Sequence, residues 1–237
     1  MKYLLLLGLV FLSKNSFSQT DLAKKVITQL KLDKADWQVD FFIEKQMPNL
    51  KDQTIVVLSE KIGEDDGMFS LRSWIVVFNT KTGKIKAKKA LEIDSDAIRF
   101  AGFTIDTAPY LVAKGKRAFG IRMLFEGSSR PNPYTSEVIS LFIEEKGQLI
   151  EVLKEYEIEV HQGEWDTNCE GEFNSEKKVL IIGTTQTGGY FDITVNSKIG
   201  KETNYVDENE DCQSKSESST KKYKLVYKNK VYTEISL

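Results

Sequence analysis

The sequence predicts an all-β fold of antiparallel meander sheets, propeller-like or sandwich in architecture, with one short N-terminal helix. After Trp37, short β-branched or aromatic runs alternate with Gly, Asn and Asp turns to the end of the chain. The links between runs are short, with Gly83, Gly147 and Lys228-Asn229-Lys230 at positions that favour tight reversal, and short links join antiparallel neighbours. Within each run, apolar and polar side chains alternate with the period of a strand.

The chain has 237 residues, enough for one domain with a sizeable core. Lys2 precedes an uncharged apolar run, residues 3–12, which is too short to span a bilayer, and Ser16-Phe17-Ser18 places small residues at a cleavage site. Residues 1–18 are therefore expected to be a secretory signal peptide cut after Ser18. Residues 19–36 are read as a helix and linker, and 37–237 as a single β domain. Leu22, Ala23, Val26, Ile27 and Leu30 form one apolar face of an expected helix over 20–32.

Strands are expected at 54–60, 71–79, 85–93, 103–107, 110–114, 118–126, 137–145, 149–160, 178–184, 190–198, 221–227 and 231–235. They group into about three meander units, 38–95, 103–160 and 173–237. Phe119, Ile121, Met123 and Phe125 mark a core face. Ile193 and Val195 do the same, opposite a solvated face with Asp192. Two polar stretches, 63–67 and 201–220, are expected to be loops.

With 41% hydrophobic, 11% aromatic and 29% charged residues, the composition excludes a disordered tail, a collagen-like repeat and a polytopic membrane protein. The net charge of −2 offers no basic field for nucleic acid. Cys169 and Cys212 are both beyond the cleavage site, and export would favour joining them. No sequence pattern calls for a cofactor.

Candidate chemistry is sparse. Glu164 and Asp166 flank Trp165 in a presumed loop, the residue types of a glycosidase acid and its ionised partner. His161, the single histidine, falls in phase with outward glutamates. Asp207, Asn209 and Asp211 have the first oxygen spacings of a calcium loop, but Cys212 and Ser218 occupy the positions of its glycine and bidentate glutamate. Arg122 sits mid-strand, where burial demands a carboxylate such as Asp106 or Glu137, and would otherwise clamp an anion. The loop 127–134, GSSRPNPY, is stiffened by two prolines and displays Arg130 and Tyr134.

The motifs TIDTAPY at 104–110, RAFGIR at 117–122, GSSRPNPY, GEWDTNCEGEF at 163–173 and DENEDC at 207–212 together resemble a family of exported Gram-negative bacterial proteins with no assigned activity. The resemblance implies an envelope location and the Cys169–Cys212 pairing. GYFDITV at 189–195 is similar to the strand motif of FG-GAP-type propeller repeats, without their calcium loop. The resulting expectation is a periplasmic or secreted, non-catalytic binding or scaffolding module. It would use Arg122, Arg130, Tyr134 and Trp165 toward an envelope protein or glycan. The alternative is an envelope hydrolase acting on glycans through Glu164 and Asp166.

Overall fold

A computed structural model describes residues 15–32, 37–48 and 50–235. The apolar run at 3–12 lies outside the described residues. Helix α1 (Asn15–Leu30) starts upstream of the expected Ser18 cleavage point and ends at Lys31, whose φ is 58°. Its expected face is the one that packs: Ala23, Val26 and Ile27 are buried, with Leu22 and Leu30 partly so.

The first four strands, β1 (Trp37–Gln46), β2 (Gln53–Asp65), β3 (Met68–Asn79) and β4 (Lys84–Ser95), pair in sequence order as an antiparallel meander. A second meander comprises β5 (Ile98–Ala113), β6 (Lys116–Gly127), β7 (Tyr134–Glu145) and β8 (Gln148–Trp165). The third comprises β9 (Gly171–Thr187), β10 (Tyr190–Val206), β11 (Cys212–Lys228) and β12 (Val231–Ile235). The meanders join at β8 into one open sheet. A single parallel bridge, Lys88↔Gln148, attaches β4, and an antiparallel ladder from Glu159↔Lys177 to Trp165↔Gly171 attaches β9.

The meanders stack face to face, in the manner of a sandwich. α1 covers Val56, Leu58, Val76 and Phe78 on the outer face of the first. The other face of that meander, through Ile55, Val57, Ile75 and Val77, packs on Ile105, Phe119, Ile121 and Phe142 of the second. The second meander turns Ala118, Ile139, Leu141 and Ile143 the opposite way, onto Ile193, Val195, Leu225 and Tyr232 of the third. Burying both faces of the middle layer explains why the centres of β6 and β7 carry apolar side chains on both faces.

Four expectations need correction. Strand β1 had no counterpart among the expected strands. The expected strands at 103–107 and 110–114 are one strand, β5, because the ladder to β6 slips between Asp106 and Tyr110 and then resumes. Pro109 sits in that slip on an edge strand, where a missing N–H breaks no ladder bond. Asp192 is 3% exposed, not solvated. Its neighbours cover it: Thr185 Oγ1, from the part of β9 where the ladder to β10 is irregular, donates to it at 2.6 Å, and Lys224 Nζ lies at 2.9 Å.

The polar segment 201–220 is also not a loop. β10 and β11 pair without a break from Ile193↔Leu225 to Val206↔Cys212. Its polarity reflects exposure, not lack of conformation, because β10 is laddered on both sides and β11 on one, and that pairing fixes the strands.

Candidate functional site

The strand β8 extends to Trp165, so Glu164 belongs to a strand and only 166–170 is a turn. Loop 128–133 is laced onto this end of β8. Gly163 N donates to Pro133 O at 3.0 Å and Trp165 N to Pro131 O at 2.9 Å, while Trp165 Nε1 donates to Arg130 O at 2.7 Å. Asn132 N donates to Ser129 Oγ at 3.2 Å. The backbone is thus held at several points, and the Arg130 side chain is left in solvent. On the neighbouring strand, the Phe173 ring lies over Gly163, where an added Cβ would collide with it, and its centroid is 6.3 Å from that of Trp165.

Tyr134, His161 and Phe173 line a depression of about 260 Å³. It adjoins a larger one of about 550 Å³, which shares His161 and Phe173 and runs over Ser175 of β9, Gly200 of β10 and Ser218 of β11. The two cysteines are joined, with Cα atoms 5.7 Å apart, tying the 166–170 turn to the start of β11. The structure therefore gathers Arg130, Tyr134 and Trp165 around His161 and Phe173. Neither His161 nor Phe173 was among the expected binding residues. Phe173 was hidden because only the β8–β9 register places it over a glycine ten residues earlier.

Asp166 Oδ1 accepts the N–H groups of Asn168 at 2.9 Å and Cys169 at 2.8 Å. These backbone donors hold its carboxyl below the usual aspartate range. Asp166 is therefore ionised, as the partner of a glycosidase acid would be, with one oxygen committed to the turn. Asp207 plays the same part in the turn between β10 and β11. Its Oδ1 accepts from Asn209 N and Asp211 N and its Oδ2 from Gln213 Nε2, so the first of the three residues spaced for calcium caps a turn. Among the described residues, no group of three His, Cys, Asp or Glu side chains could hold a metal ion.

Arg122 lies elsewhere, in the cleft between the second and third meanders. Its Nη2 is 2.6 Å and its Nε 3.0 Å from Asp106 Oδ2, and Nη1 is 3.0 Å from Glu137 Oε2, so both expected partners bind it. Asp106 also accepts from Tyr110 Oη at 2.9 Å and from Ala108 N at 2.9 Å. Burial alone would raise the Asp106 carboxyl, but these donors and the guanidinium outweigh it and hold the group low. Burial, and then the Asp106 charge, push the Tyr110 phenol up to about 12. With its guanidinium shared by Asp106 and Glu137, Arg122 links β6 to β5 and β7.

No helix among the described residues is long and apolar enough to cross a membrane. No family model, curated protein or solved structure matches this chain.

Proposed function

We propose that this chain is a member of the exported envelope family its motifs resemble, loses residues 1–18, and acts outside the cytoplasm as a non-catalytic binding module. Its binding face is the surface around Arg130, Tyr134 and Trp165, extended by His161 and Phe173, and its partner is an envelope protein or glycan. The observation that carries this reading is the lacing of loop 128–133 onto Gly163 and Trp165. A backbone fixed in advance beneath an exposed arginine and half-exposed aromatics loses little entropy on binding. The Cys169–Cys212 bond supports an oxidising location.

The test uses isolated bacterial envelope fractions, untreated or digested with either protease or a glycan hydrolase, and the intact purified protein. Arg130→Glu with Tyr134→Ser is expected to weaken retention at least ~10-fold, about 1.4 kcal/mol, with an unchanged melting temperature. Which digestion abolishes retention identifies the partner class. Glu164→Gln with Asp166→Asn should leave retention intact. Turnover of an envelope glycan by the parent and not by this carboxylate pair variant would replace the binding reading with the hydrolase.

A further inference from the structure

The ladder between β8 and β9 ends at Glu159↔Lys177, whereas β9 continues along β10 to Thr187. Beyond Lys177, the edge of β9 that faces away from β10 therefore pairs with no strand among the described residues. Alternate N–H and C=O groups along it point outward, ready for another chain. Segment 179–187, VLIIGTTQT, contains no charged residue and no proline, and Val179 and Ile181 are 55% and 44% exposed.

Folded proteins blunt such edges with charge or proline. The other long free edge of this layer is blunted in that way. β11 pairs with β12 only from Lys224 to Lys228, and its unpaired stretch carries Lys215, Glu217, Lys221 and Lys222. One edge is protected and its neighbour two strands away is not.

The open edge faces a cleft of about 610 Å³, with residues 177–182 along one wall and Pro109, Tyr110 and Arg122 on the other. On its outer side, Val179 borders a second depression of about 440 Å³ with Lys177, Lys198 and Lys222. The pairing rows Val179–Asn196–Lys222 and Ile181–Thr194–Lys224 put Lys222 and Lys224 on the same face two strands away, Lys224 being held by Asp192 at 2.9 Å. Lys177 is paired with Glu159 at 2.7 Å, so among the described residues the lysines around this depression outside an ion pair are Lys198, Lys221 and Lys222.

We propose that the free edge of β9 accepts an extended segment of a partner protein by strand addition, a segment with apolar residues at alternate positions and acidic residues at its ends. Backbone bonds to 178–182 supply the pairing. Side chains of one parity enter the cleft, and those of the other lie against Val179 and Ile181 within reach of Lys198 and Lys222. A strand needs about 4.8 Å beyond β9. A second folded copy would have to bring its own layers past the wall at Pro109 and Tyr110, so a single extended segment is the fitting occupant. This site is separate from the Arg130 face, and either can fail without the other.

Fluorescence anisotropy of labelled Asp-Val-Thr-Ile-Thr-Val-Asp against the intact protein tests the proposal. Saturable binding is expected. N-methylation of alternate peptide amides should weaken it about tenfold or more, and so should exchanging both Asp for Lys. Ile181→Glu, at an exposed position, should do the same with an unchanged melting temperature. Absence of saturation up to about 1 mM, or equal affinity for the N-methylated peptide, would overturn the proposal. So would a concentration-dependent dimer in sedimentation that Ile181→Glu abolishes, because the occupant would then be a second copy.

Discussion

Asp106 illustrates how a single buried carboxylate is kept charged. Its side chain is 12% exposed, yet it gathers two contacts from Arg122, the Tyr110 hydroxyl and the Ala108 amide. Asp106→Asn keeps the shape but removes the charge that balances Arg122, so it should cost about 1–3 kcal/mol at pH 7, read by urea denaturation. The pH dependence follows from the direction of the shift. A carboxyl held low in the fold contributes stability above the ordinary aspartate value near 3.9, and that contribution is lost as pH falls through the folded value. The gap between parent and Asp106→Asn should therefore close below about pH 4. Tyr110 acts at the other extreme. With its phenol raised to about 12, it contributes stability that is complete below the ordinary value of about 10 and disappears as pH rises from there through about 12. Tyr110→Phe should flatten that alkaline loss in melting curves. Glu137, Asp106 and the residue facing both could be named from the sequence because a mid-strand arginine requires acids on the same face of adjacent strands.

At the level of elements, side-chain alternation was legible and polarity was not. The face of β6 with Phe119, Ile121 and Met123 is buried as its period implies. The same logic failed for β10 and β11, because polar composition reports that both faces meet water, whereas strand conformation is decided by the backbone ladder. The candidate surface was half legible: Arg130, Tyr134 and Trp165 are displayed by local sequence, but Phe173 and His161 join them only through pairing between distant strands. The disulfide is the element-scale test. It closes 43 residues around β9 and β10, and the chain-entropy account gives about 4 kcal/mol for such a loop. Cys169→Ser with Cys212→Ser should lower the melting temperature by roughly 10 °C. Hydrogen exchange should rise first at 201–216, far from the packed layers, and an equal rise in β6 would show that the bond stabilises the whole sheet instead.

Across the whole molecule, the stacking of three meanders makes a statement about neighbours in sequence. Leu141 and Phe142 are adjacent in β7, so their side chains leave opposite faces, and both are fully buried. Leu141 enters the layer shared with the third meander, and Phe142 the layer shared with the first. Leu141→Ala and Phe142→Ala should therefore each cost about 3 kcal/mol. The outer layer is covered on one side alone. There, Val195 is buried against the second meander while its neighbour Asn196 is exposed, so Val195→Ala should cost about 2 kcal/mol and Asn196→Ala under about 0.5 kcal/mol. Chemical denaturation of the four variants distinguishes a middle layer covered on both faces from a two-layer sandwich. In a two-layer sandwich, one of the β7 pair would face solvent and its replacement would be nearly silent. A cost below about 1 kcal/mol at either Leu141 or Phe142 would place that meander at the surface and refute the stacking order.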